Sequence, residues 1–173
     1  PSDLKAGNKG KFENRPVLPA PYLGRLAASE PSAKAALRLR LRTGAGLPFS
    51  ALPLESLSFY LHGADEQPFR LYEQLLGNAC AVFVQAPGGD WVERLPPESL
   101  RPRGFDDEDA VLPVVPRAFQ GYRLLQEYFA LPNRFLFIDV ANLRRPVQRC
   151  AGQELDVIVL FNRIDQSLEG SIG

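Results

Sequence analysis

One run, Leu37-Arg38-Leu39-Arg40-Leu41-Arg42-Thr43, constrains the chain more than any other. Successive side chains of a β-strand point to opposite faces, so strict alternation sends the leucines one way and the arginines the other. Such a strand needs an apolar layer on its first face and water or acidic partners on its second. A half-buried sheet is therefore the centre of any fold this sequence can adopt. Gly44-Ala45-Gly46 ends the strand. Leu57-Ser58-Phe59-Tyr60-Leu61-His62 repeats the pattern, with Leu57, Phe59 and Leu61 facing inward, and Gly63 with Ala64-Asp65-Glu66 turns the chain away.

Pro68 suits a first helical turn, where its missing N–H costs nothing. Tyr72, Leu75 and Leu76 follow at helical spacing within Phe69–Leu76, and Gly77-Asn78 is a helix stop. Cys80–Gln85 is a third strand. Short joints on both sides of the helix suggest a βαβ crossover between 57–62 and 80–85, right-handed if those strands are parallel. Pro87-Gly88-Gly89-Asp90 is a turn leading to Trp91–Leu95, a hairpin partner. Residues 96–118, rich in proline and charge, read as a long loop. Phe119–Leu131 is a second helix, stopped by Pro132. Arg134–Val140, apolar on both faces, reads as a central strand covered on each side. Leu155–Phe161 is the last strand. Phe69–Leu76 also echoes Tyr122–Phe129, and each precedes a strand, which raises an internal duplication as a hypothesis.

The fold class is α+β: a mixed sheet of about six strands, single or split into a sandwich, with two α-helices packed on it. The domain occupies 36–165. Residues 1–35 hold all the lysines (Lys5, Lys9, Lys11, Lys34) and are broken by Pro16, Pro19, Pro21 and Pro31, so they read as an extended arm. Ala27–Ser29 is a candidate helical turn within it, and 166–173 is a tail. The absence of methionine and the loop-like ends suggest an internal piece of a longer chain.

Twenty basic residues balance twenty acidic ones, so no global field draws the chain to nucleic acid or anionic lipid. Near-zero net charge favours association instead. No apolar run approaches the ~20 residues of a membrane span. Cys80 and Cys150 lack metal-ligand spacing; free thiols are the stronger reading and a disulfide between them the alternative, and free thiols imply a reducing, cytoplasmic setting.

Catalysis requires ionisable groups converging in a pocket, and the supply is thin. His62 is the sole histidine, which rules out a histidine metal cluster. A Cys–His hydrolase pair with Cys80 or Cys150 is the weaker enzymatic reading. Asp106-Asp107-Glu108-Asp109 lacks the alternation and turn glycine of a calcium loop, so it reads as a solvated acidic loop or a docking site for a basic partner. Arg38, Arg40 and Arg42 could fork onto phosphates, but no aromatic residues interleave with them. Solvation of a sheet face or salt bridges within an assembly is the stronger reading, and a nucleic-acid module the alternative. No cofactor, metal or small-molecule site emerges.

Tyr122, Leu125, Tyr128 and Phe129 give the second helix a broad apolar side. That is the spacing of a helix lying on a sheet, which makes them core. On this reading, truncating Tyr128 or Phe129 to alanine opens a cavity and costs several kcal/mol. The competing reading places Tyr122 and Tyr128 at an interface, where amphipathic aromatics are enriched.

Two stretches resemble a known family. Gly121-Tyr122-Arg123-Leu124-Leu125-Gln126-Glu127-Tyr128-Phe129-Ala130-Leu131-Pro132, running into Arg134-Phe135-Leu136-Phe137-Ile138-Asp139, is similar to the signature of the TssF (ImpG or VasA) family of type VI secretion baseplate components. Leu37–Thr43 with Leu52–Gly63 resembles a second family segment, and Gly104–Glu108 resembles the lead-in to the helix. The resemblance covers roughly 37–161 and leaves the arm unmatched. It implies a cytoplasmic structural protein that contacts TssG, TssK and TssE around the spike hub. The assembled baseplate then nucleates the contractile sheath, much as in phage tails. It implies no catalytic residue, cofactor or membrane insertion. Gly121, Tyr122, Leu125, Tyr128, Phe129, Phe135 and Phe137 are the signature positions it marks as architectural.

Overall fold

The computed structural model describes residues 26, 28–44, 46–88, 91–112 and 120–168. Expectations for most of the arm, for Gly89, Asp90 and Phe119, and for the end of the tail lie outside them. The fold is α+β, built from two sheets. Strands β1 (Ala35–Arg42), β7 (Glu154–Phe161), β3 (Ala79–Gln85) and β4 (Val92–Leu95) form a four-stranded sheet in that spatial order. Strands β2 (Leu57–Tyr60), β6 (Phe137–Val140) and β5 (Leu100–Pro102) form a three-stranded one. Three helices accompany them among the described residues: α1 (Gln67–Gly77), α2 (Gln120–Ala130) and the short α3 (Arg144–Arg149).

The alternating run behaves as its period demands. Leu37, Leu39 and Leu41 pack on the main core, while Arg38, Arg40 and Arg42 stand on the other face opposite Ile158, Asp156 and Glu154 of β7. That core lies between the sheets. Leu155, Val157 and Val159 of β7 meet Ile138 and Val140 of β6 there, joined by Leu75 of α1 and Val147 of α3. β7 is buried on both faces, because Ile158 and Leu160 enter a second cluster with Leu26, Ala81 and Phe83. Leu26, Ala28 and Ser29 are helical, as expected for that turn.

Several expectations are corrected. Every strand pairing is antiparallel, so the two sheets realise the sandwich option rather than a mixed sheet. The βαβ crossover is absent: β3 has β7 on one edge and β4 on the other, which leaves no edge for β2. α1 instead carries the chain from one sheet to the other. The proline-rich stretch read as loop contains β5, whose Pro102 sits on an edge strand, where a missing N–H is tolerated. α3 also escaped the sequence reading. β6 is central in its sheet, but only Ile138 and Val140 are buried, while Phe137 and Asp139 are half-exposed. Arg134 and Phe135, read as the start of that strand, belong to the 3-10 turn Pro132–Phe135. The Val92–Leu95 hairpin partner is present as expected, paired from Val82↔Leu95 to Gln85↔Val92.

Two predictions follow from β7. Leu155 has no exposed surface, so Leu155→Ala should lower unfolding stability by about 2–5 kcal/mol in urea titrations. A loss under about 1 kcal/mol would contradict the packing described. Glu154 accepts a hydrogen bond from Arg42 (Nε, 2.9 Å), which holds its carboxyl below the usual range against a smaller opposing effect of burial. A depressed carboxylate pKa stabilises the fold above the ordinary carboxylate range, and that contribution is lost as pH falls through the lowered value. The melting-temperature gap between the parent and Arg42→Ala should therefore be present at neutral pH and close on acidification. The pair is solvent-screened, so the gap is small, on the order of 1 kcal/mol or less. A gap that widens in acid would refute this account.

Candidate protein-contact surface

α2 is mounted inside out. Its buried residues are Arg123 and Glu127, 7% and 1% exposed, whereas Tyr122 (69%), Leu125 (56%), Tyr128 (48%) and Phe129 (80%) face outward. The expectation that these four apolar side chains form core is overturned. The cause is a buried ion network. One Glu127 carboxylate oxygen accepts the main-chain N–H groups of Val111 (3.0 Å) and Leu112 (2.9 Å). The same carboxylate pairs with Arg123 (3.5 Å) and with Arg134 of the turn that follows the helix. Arg123 also holds Asp107 at 2.9 Å, and Arg134 donates to the Asp109 carbonyl. Removing a carboxylate from such a site strands two buried guanidinium groups, which is why networks of this kind are hard to break.

The network fixes the acidic loop along the helix. Asp107–Asp109 form a 3-10 turn whose Asp109 carboxylate accepts from the Gly104 N–H (2.9 Å) and Arg103 Nε (3.3 Å). Gly104 has φ +98°, and a Cβ there would lie 3.2 Å from the Arg134 carbonyl oxygen. Only glycine lets the loop approach this closely. Phe105 then stacks on Phe135 (ring centroids 5.1 Å), Phe135 on Tyr128 (5.8 Å) and Tyr128 on Phe129 (5.7 Å). An aromatic ladder therefore runs from the loop to the exposed helix face. Of the remaining signature positions, Gly121 is half-buried at the start of α2, and Phe137 stacks on Tyr60 at 4.8 Å in β6.

The arginine row is elsewhere, on the outer face of the four-stranded sheet. Arg40 grips the fully buried Asp156 with two hydrogen bonds of 2.8 and 3.1 Å, and Arg42 pairs with Glu154. These two guanidiniums are engaged with β7 of the same sheet, within the chain itself. The structure thus separates the two groups of candidate interface residues, the row on β1 and Asp106–Asp109 beside α2.

His62 is exposed and lines an apolar cleft of about 350 Å³ between β1, β2 and α1, whose lining includes no acidic residue and no cysteine. Cys80 belongs to the cluster on the opposite face of its sheet, and its thiol is 3.4 Å from the Leu160 carbonyl. Cys150 is buried, its thiol 3.3 Å from the Glu154 carbonyl. Both cysteines are free, and the geometry does not bring His62 to either as a catalytic pair. Among the described residues no group of three or more His, Cys, Asp or Glu could hold a metal, and no helix is long and apolar enough to cross a membrane.

Two antiparallel sheets with an outward apolar helix define an antiparallel α+β domain. The profile of the type VI secretion system TssF family matches residues 14–173, and the chain belongs to that family. The match extends beyond 37–161 at both ends, into the arm that the resemblance left unmatched. Type VI secretion system component TssF1 of Pseudomonas aeruginosa PAO1 is 71% identical over 154 residues, covering 89% of this chain and 25% of that protein. A chain of the type VI secretion system TssK-TssF-TssG baseplate subcomplex, solved by cryo-electron microscopy, shares the fold. It has a TM-score of 0.63 and 25% identity, over 83% of this chain and 26% of that one. This chain thus spans about a quarter of the length of the relatives it matches.

The inverted helix generates an ordered prediction. Glu127→Ala should cost about 3–5 kcal/mol. Phe129→Ala should change stability by no more than about 0.5 kcal/mol, as for other surface positions. Urea unfolding of the two variants checks the order, and the reverse ranking would restore the core reading of the aromatic face.

Proposed function

We propose that the chain is a structural part of a type VI secretion baseplate, acting through protein contacts with TssG and TssK, and by extension with TssE and the spike hub. In this role it helps the baseplate nucleate the contractile sheath and works in the cytoplasm. The observation that carries the reading is the α2 face. Large exposed apolar patches mark interaction sites, and here a buried ion network holds one outward. The free thiols of Cys80 and Cys150 agree with a reducing compartment. The TssK–TssF–TssG subcomplex that contains a chain of the same fold supports the choice of partners. Chemistry on a substrate has no place in this reading, because the cleft holding His62 is lined by no cysteine and no carboxylate to pair with it.

The test is co-purification of the full-length protein with TssG and TssK. Coelution of the proteins as one complex is expected, and elution of the full-length chain alone would refute the proposal.

A further inference from the structure

We infer that the outward face of α2 docks a basic amphipathic helix of another baseplate protein, with Leu125 and Phe129 under its aliphatic ridge and the Asp106–Asp109 loop beside its Lys or Arg flank. The inference rests on the baseplate reading above and specifies the surface that reading needs.

Four observations define the occupant. Tyr122, Leu125, Gln126 and Phe129 are exposed at i, i+3, i+4 and i+7, a single stripe with no charged residue in it. Among the described residues, Arg123 on the helix and Arg134 just after it are turned inward onto Glu127. The rim is acidic: Asp106, Asp107 and Glu108 are exposed, and the Phe105–Phe135–Tyr128 ladder makes the loop continuous with the apolar face. Finally, a helix offers no unpaired backbone edge, so its partner must pack side chains into the grooves of α2. An apolar centre with an acidic rim matches a partner of opposite rim charge. A second copy of this chain fits poorly, because its own stripe is flanked by the same acidic loop.

The experiment uses the full-length protein with purified TssG and TssK. A photo-crosslinking phenylalanine analogue replaces Phe129, and two further variants are compared with the parent, Leu125→Glu with Phe129→Glu, and Asp106→Lys with Glu108→Lys. Crosslinks are expected to a helical segment of TssG or TssK carrying Lys or Arg on one flank. The glutamate pair should weaken complex formation at least about tenfold with an unchanged melting temperature. The lysine pair should weaken it less and reduce its salt dependence. Crosslinking to the chain's own polypeptide or to a second copy would overturn the inference, as would complex formation by the glutamate pair equal to the parent's. A lowered melting temperature in the glutamate pair would do the same, because the face would then be covered within the protein itself. If the parent binds neither protein, the baseplate reading falls and this inference with it.

Discussion

The double burial of β7 is the constraint to which the other layers are referenced. Leu155, Val157 and Val159 face the core between the sheets, while Ile158 and Leu160 face a second cluster. A strand covered on both faces must also have both edges paired, since unpaired backbone groups cannot reach water. β1 supplies one edge and β3 the other. The alternating leucines of β1 then have one face available for the core, and the register places Asp156 opposite Arg40. A buried aspartate on the central strand is tolerable because that guanidinium reaches it in a two-point grip.

The same economy of pairing operates on a smaller scale at Glu127. A carboxylate with four partners positions α2, the loop before it and the turn after it. Arg40–Asp156 ties two adjacent strands of one sheet, whereas Glu127 ties three segments that share no regular pairing. This explains how an irregular stretch of backbone can present a defined surface. The Gly104 approach and the Phe105–Phe135 stack close the arrangement from the far side.

Much of the sheet architecture was legible in the sequence, and the face of α2 was not. Period two identified β1 and β2 and assigned their inner faces, because a strand has only two faces and one of them is apolar. Helical spacing identified α1 and α2 equally well. In α1, Leu75 is buried and Leu71 and Tyr72 half-buried, as spacing suggests. In α2 the corresponding side is exposed, although Tyr122–Phe129 echoes Phe69–Leu76. Periodicity reports that a helix is two-sided; it does not report which side meets the body. The available signal was Arg123 with Glu127 four residues on, a pair able to satisfy itself when buried, and a tetrad of acids lay just upstream. The same spacing also allows Tyr122 and Tyr128 a place at a contact surface. β5 was missed because proline masks an edge strand, and the βαβ unit was inferred because short joints do not say which edge a strand will find free.

The orientation of α2 can be weighed against its opposite. Rolling the helix over would remove four large apolar side chains from water, each worth about 1.5–3 kcal/mol when fully buried. Returning Arg123 and Glu127 to solvent would also relieve their desolvation. Against this, the Val111 and Leu112 N–H groups would lose their acceptor, Asp107 would lose Arg123, and the turn at Pro132 would release Arg134. Hydrophobic burial alone therefore argues for the rolled state, and the observed state is held by polar geometry. An arrangement of that kind gains when something else covers the apolar face, because burial is then recovered without surrendering the network. The ion cluster is thus the device that keeps the apolar side of α2 turned outward, open to the partner proposed for it.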